Sequence, residues 1–240
     1  KPKFDIKNFE KFKDKIIYLL INEKIPGMYK INDLDNNDQK NGKHIMNALK
    51  RENFQRNCIV RGLNDATDED WIIISDLDEI PNLKNNDLKN IKSPIVFFKQ
   101  LMMYYKFNLI LENYSWVGSK ACKKKTLKSP QWLRNIKDRA YPWWRLDVLF
   151  SENKYIKIKI IENGGWHFSY LKRPEDIEKK LKSYLHHTEY ELNPIGIKNI
   201  KKMIIDKKTI YNLKVDSGKN KFDDGNILKK IDLDLLPNYV

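Results

Sequence analysis

The chain has 240 residues, 41% of them hydrophobic and 12% aromatic, enough to bury one substantial core and better suited to one domain than to two. Its formal charge is +14, yet it holds only two cysteines, Cys58 and Cys122, too few for a disulfide framework and without metal-site spacing. No apolar run is long enough to cross a bilayer and no signal peptide is recognisable, so a soluble, cytoplasmic protein without a transmembrane segment is expected.

Of the 46 basic residues, 39 are lysine and seven are arginine. A field of that sign draws in anionic substrates such as a nucleotide diphosphate, and it admits a peripheral membrane contact. The arginines are the informative subset, because a guanidinium grips phosphate and carboxylate in a fixed fork.

In chain order, residues 1–15 are basic and weakly patterned, and Ile16 to Ile21 reads as a buried strand. A loop follows through Pro26 and Gly27. A helix is expected from Asn41 to Leu63, with Ile45, Ala48, Leu49, Ile59, Val60 and Leu63 on one face. Glu52 and Arg56 fall within that face. They form either an i,i+4 salt bridge at the edge of the core or a means of placing Arg56 at the mouth of the next strand.

That strand is Trp71 to Ile74, a short β-branched run that stops in acid at Asp76-Leu77-Asp78-Glu79. If strand geometry persists past Ser75, both aspartates leave the backbone on one side and Leu77 points back into the core. Pro81 then ends the ladder. Neighbouring carboxylates repel unless a cation or donor lies between them. A divalent ion with oxygen ligands, Mn2+ or Mg2+, meets that need and leaves positions open for substrate phosphates. The alternative is a pair of solvated turn acids with Glu79 as a third.

Further strands are expected at Ile95 to Phe98, Met102 to Phe107 and Trp116 to Cys122, the second with Met103, Tyr105 and Phe107 on one side. The lysines at 120, 123, 124, 125 and 128 read as a solvated face. Gln131 to Ile136 suggests a short helix, and Tyr141 to Trp144 an aromatic group beside Arg145 of the kind that stacks on sugars or packs a core. Tyr155 to Ile161 alternates as a strand with one wet face. In Gly164-Gly165-Trp166-His167, the glycines allow a turn or a close approach, and His167 is either a core histidine or a ligand. Pro174, Glu175 and Asp176 open a helix buried through Ile177, Leu181, Tyr184 and Leu185. A second helix follows Pro194, and a charged tail closes the chain.

Three ordered segments, R-N-C-I-V-R-G-L at 56–63, I-I-I-S-D-L-D-E-I-P at 72–81 and G-G-W-H-F-S-Y at 164–170, together resemble glycosyltransferase family 17. Its animal member adds bisecting N-acetylglucosamine to N-glycans. The Y-Y-x-F-N stretch and the closing L-P-N-Y extend the likeness. The resemblance implies an α/β fold of GT-A type, a Rossmann-like nucleotide-sugar-binding sandwich with a mixed central sheet. Residues 1–215 would be its catalytic domain and 216–240 a tail packed on it. Family relatives carry a further strand and helix before Lys1-Pro2-Lys3, so the first strand of the nucleotide-binding half is expected to be missing.

It also implies transfer of a sugar, foremost N-acetylglucosamine from UDP-GlcNAc, to a glycan hydroxyl with Mn2+ or Mg2+ as cofactor. Carried over residue by residue, Arg56, Asp76, Asp78 and His167 bind the nucleotide sugar, and Asp78, Asp76 and His167 hold the metal. Glu79 or Glu175 acts as the base, and Trp116, Trp143 and Trp166 face the acceptor. One rival is a phosphotransferase of the haloacid dehalogenase type, although Ile80 stands where that class has Thr or Val and Glu79 intervenes. Another is a non-catalytic module that binds glycan or polyanion. Two carboxylates at a groove mouth speak against nucleic acid as the partner.

Overall fold

The computed structural model describes residues 4–84, 86–183, 190–191, 194–213, 225–232 and 236. The first long element is α1 (Asn37–Asn57). Asn36 accepts from the Gln39 N–H at 2.8 Å while Gln39 accepts from the Asn36 N–H at 2.9 Å, a reciprocal cap that fixes the start. The helix ends at Asn57 and tightens into a 3-10 turn at Cys58–Gly62. The continuous apolar face expected through Leu63 is therefore broken, and Ile59 and Val60 are exposed. The one buried residue of α1 is Asn47, which exchanges hydrogen bonds with the Tyr29 backbone at 2.7 and 2.9 Å.

Residues 16–21 are not the expected strand. They pair with none of the seven strands; apart from the Ile16 N–H, which donates to the Lys13 carbonyl at 3.1 Å, they run as open chain with Ile17 and Leu20 exposed.

The core is one seven-stranded mixed sheet, so the molecule is α/β. Its strands are β1 (Trp71–Ile74), β2 (Glu79–Pro81), β3 (Ile95–Tyr104), β4 (Lys106–Lys123), β5 (Ile158–Ile161), β6 (Gly165–Ser169) and β7 (Lys229–Lys230). The order is β1-β4-β3-β6-β2, with β5 on β3 and β7 on β4. β3 pairs in parallel with β5 and β6 and antiparallel with β4. Being central, it buries Ile95 to Phe98 completely. Phe97 packs with Ile72, Ile74 and Leu133, whereas Val96 and Phe98 pack with Ala121 and Ile161, as alternation across a pleat requires.

The residues expected as two strands at 95–98 and 102–107 are one strand and a turn. Tyr105, at φ 62°, reverses the chain so that Tyr104 faces Lys106, and Phe107 falls on β4, half exposed. Trp116 to Cys122 is the far part of that same long β4.

Among the described residues four α-helices follow the hairpin: α2 (Pro130–Asn135), α3 (Leu146–Leu149), α4 (Pro174–Leu181) and α5 (Gly196–Ile205). Ser129 caps α2 by accepting from the Trp132 N–H at 3.1 Å, and Trp132 and Leu133 then pack beneath β1. Ile177 and Leu181 of α4 and Ile200 of α5 join Tyr104, Tyr190 and Ile210 in a separate cluster. Tyr184 and Leu185, expected on the same face, lie outside the described residues. Of the tail, β7 pairs with β4, Leu228 and Leu236 are buried, and Ile227 bridges to Lys208. Among the described residues no helix is long and apolar enough to cross a membrane.

Candidate functional site

The strand geometry stops at Ile74, so the acid motif is a turn and not a strand extension. The Glu79 N–H donates to the Asp76 carbonyl at 3.0 Å, and the Glu79 carboxylate accepts from the Asp76 N–H at 3.0 Å. One side chain thus closes the turn from within. Leu77 sits at its tip, fully exposed, where the strand reading placed it in the core. The two aspartates consequently face different ways.

This turn carries the chain from β1, at one end of the strand order, to β2 at the other. Gly118 of β4 provides the room. A Cβ there would lie 2.2 Å from Glu79 Oε1, so the Glu79 carboxylate occupies the space where a side chain would otherwise stand. Glu79 is 4% exposed and also accepts from Trp116 Nε1 at 2.7 Å and from both terminal nitrogens of Arg134, at 2.8 and 3.1 Å. Its oxygens hold the turn and the surrounding sheet and are enclosed by these partners. Trp116 is likewise a support, donating to Glu79 and stacking on His167 at 5.0 Å.

Asp76 lies between two guanidinium groups. Arg56 Nη2 donates to Oδ1 at 3.1 Å and Arg134 Nη2 to Oδ2 at 2.9 Å. Arg56 also bonds Glu52 at 2.8 Å, so the two readings of this helical arginine, internal salt bridge and strand-mouth contact, hold together. The cation that keeps the neighbouring carboxylates from repelling each other is, at Asp76, supplied by the chain itself.

Arg134 escaped the sequence reading. The signal was its membership of the small arginine subset inside a short capped helix, but nothing local ties residue 134 to residue 76. Its placement depends on Lys120, which is no part of a solvated face. Only 3% exposed, Lys120 donates to the carbonyls of Arg134 and Ile136 at 2.9 and 2.5 Å and pairs with Asp138 at 2.7 Å. An ammonium at the C-terminal carbonyls of α2 fixes where that helix stops, and hence where Arg134 points.

Asp78 turns the other way, towards His167 of β6, with Oδ2 3.6 Å from Nε2. β2 pairs with β6 so that Glu79 opposes His167, and the Phe168 N–H donates to the Asp78 carbonyl at 2.8 Å. Burial alone would raise the Asp78 pKa, but His167 and, to a smaller extent, Lys180 outweigh it and hold the carboxyl below its ordinary range. His167 is buried, and among the described residues its Nδ1 has no hydrogen-bond partner. The double glycine serves this pairing. A Cβ on Gly165, at φ 140°, would stand 2.1 Å from the Ile80 carbonyl, and one on Gly164 2.9 Å from the Phe98 Cα. The close approach it permits is to protein backbone.

Two cavities flank the turn, and Leu77 lines both. The smaller, about 310 Å³, has Leu19, Ile21, Arg56, Ser75 and Asp76 in its walls. The larger, about 740 Å³, is bounded by Asp78, Phe168, Tyr170 and the exposed side of α4, including Asp176 and Lys180.

Other expected site residues are not brought here. Glu175 pairs with Lys201 of α5 at 3.1 Å and lines neither cavity, although the open N-terminus of α4 does hold its pKa low as expected of a helix start. Trp166 packs against the cluster of Met103, Phe168 and Leu236. Trp143 stands 76% exposed against Trp144, its ring centroid 6.2 Å away, and lines neither cavity.

As a metal site, the motif divides. Among the described residues no three His, Cys, Asp or Glu side chains converge on one point. Asp76 is committed to arginines, whereas Asp78 and His167 face each other across a gap wider than a hydrogen bond. Cis ligands of an octahedral ion, each about 2.1 Å from it, stand about 3 Å apart. Asp78 and His167 are within a small side-chain rotation of that spacing and fit an ion that takes its remaining ligands from substrate and water. Comparison with family models, with curated protein sequences and with solved structures returned no match.

Proposed function

We propose that the chain is a glycosyltransferase of GT-A type, similar to family 17, that transfers N-acetylglucosamine or a related sugar from a UDP-sugar to a glycan hydroxyl. The observation that carries this reading is the division of the Asp76–Asp78 turn between two adjoining cavities, one aspartate facing each. A nucleoside diphosphate sugar has two unlike halves. Base and ribose suit the smaller, partly apolar cavity, where Asp76 and Arg56 meet hydroxyls; diphosphate and sugar suit the larger one beside Asp78.

The protein groups divide the work accordingly. Arg56 and Arg134 hold Asp76 in orientation while it stays partly open to the cavity. Asp78 and His167 would hold Mn2+ or Mg2+, which when bound would supply Lewis acidity to the leaving diphosphate. Glu79 keeps both aspartates in register. The acceptor proton needs a carboxylate that faces the cleft, and Asp176, paired among the described residues only with Arg173 on the exposed rim, lines it, whereas Glu79 is enclosed and Glu175 lines neither cavity. The phosphotransferase reading has less support, because Asp76, its nucleophile, has both oxygens engaged by guanidinium groups.

The test is UDP release from UDP-GlcNAc, with thermal shift by UDP, in the presence and absence of Mn2+. The wild type is expected to release UDP and to melt higher with UDP and Mn2+. Asp78→Ala should lose both responses while keeping the wild-type circular dichroism spectrum. Full activity in Asp78→Ala would remove the mechanism.

A further inference from the structure

α4 presents Asp176, Lys179, Lys180 and Ser183 to the larger cleft, an i, i+3, i+4, i+7 pattern that puts them on one side while Ile177 and Leu181 are buried on the other. The acids of this helix are already matched to other cations. Glu175 pairs with Lys201, Asp176 with Arg173 and Glu178 with Lys182. Among the described residues no carboxylate lies within ion-pair distance of Lys179 or Lys180, or of Lys172 on the adjoining rim. Lys180 is held on the cleft side by Tyr170, whose ring centroid is 4.9 Å from the ammonium. Tyr170 in turn adopts φ 55°, the reversal that brings Leu171 and Lys172 onto the same rim.

Three lysines therefore line a cleft in which Asp176 is paired with Arg173 and Asp78 lies 3.6 Å from His167. We propose that Lys180, with Lys172 and Lys179, forms an anion subsite that takes the diphosphate of the substrate. The identity of that ligand rests on the nucleotide-sugar reading, whereas the preference for a polyvalent anion rests on the lysines. Ammonium groups act on phosphate as point charges that follow a moving group, which suits a diphosphate as it departs from the sugar. The subsite shares the charge of the leaving group with whatever Asp78 and His167 hold. Its distinguishing property is affinity for diphosphate with no divalent ion present.

The experiment is calorimetric titration of the whole chain with inorganic pyrophosphate in chelator-treated, low-salt buffer. The wild type and a control, Lys159→Ala at an exposed position of β5, are expected to bind alike. Lys180→Ala should bind about tenfold more weakly or worse, and Lys180→Arg should retain most of the affinity. Absence of wild-type binding, or equal loss in Lys180→Ala and Lys159→Ala, overturns the subsite by showing only diffuse attraction. A parallel titration with UDP, without and then with Mn2+, separates the two readings. UDP affinity unchanged in Lys180→Ala overturns the subsite and leaves the nucleotide reading standing. Lysine-dependent pyrophosphate binding without any UDP binding supports the subsite and overturns the nucleotide.

Discussion

Arg134 and Glu79 form a bidentate ion pair beneath the acid turn, with Nη1 to Oε2 at 2.8 Å and Nη2 to Oε1 at 3.1 Å. Both side chains are largely withdrawn from water, so removing one leaves the other charged and unmatched. Arg134→Met is expected to cost about 3–5 kcal/mol in urea unfolding, and Arg134→Lys to recover little because an ammonium lacks the fork. Arg134→Met with Glu79→Gln should be more stable than Arg134→Met alone. A loss below about 1 kcal/mol for Arg134→Met would show that water reaches the pair.

Two glycines give opposite signs under the same substitution. At Gly118 a Cβ would meet Glu79 Oε1 at 2.2 Å and Trp116 Nε1 at 2.5 Å, so Gly118→Ala must displace the turn and should destabilise by about 1–3 kcal/mol. At Gly42, inside α1, nothing lies within 4 Å, and Gly42→Ala should stabilise by about 0.5–1 kcal/mol. Thermal unfolding of the two variants reads the contrast directly.

Asp78 carries a pH signature. Its carboxyl is held below the ordinary range in the folded chain, so its contribution is complete above the unfolded value of about 3.9 and is lost as pH falls through the lower, folded value. Asp78→Asn should therefore flatten the decline of urea midpoints between about pH 5 and pH 3 relative to the wild type. Parallel declines would show that His167 and Lys180 do not stabilise the Asp78 carboxylate.

The position of the base separates neighbouring acids of α4. Asp176→Asn should lower turnover of the UDP-sugar by about a hundredfold or more with little change in KM, since a general base acts in the transition state. Glu175→Gln, whose carboxylate faces Lys201, should have a much smaller effect. The reverse ranking would return the base to the helix-start glutamate.

Local pattern carried part of this structure into the sequence. Trp71 to Ile74 is a strand because its β-branched run is interior on both faces, and Pro174 opens a helix because proline at the first position loses no hydrogen bond. What lay beyond reach was contact across long separations. The direction of Asp76 is set by Arg134 and that of Asp78 by His167, neither of which has any periodic relation to the motif. Ile16 to Ile21 has the composition of a strand but no partner, and pairing is a property of the sheet and not of the segment. Lys120 read as solvated because lysines usually are; the carbonyl end of α2 and the Asp138 carboxylate together make its burial sustainable.

Because Asp76 already has its counter-charges in Arg56 and Arg134, the turn needs no ion to hold its shape, and on the proposed reading the polypeptide can be kept folded in chelator with divalent ions added afterwards. If the proposed site takes an ion, loading is a reversible exchange at a finished scaffold. Its affinity can be measured by titration without a concurrent unfolding signal, and one ion can be replaced by another on a single preparation.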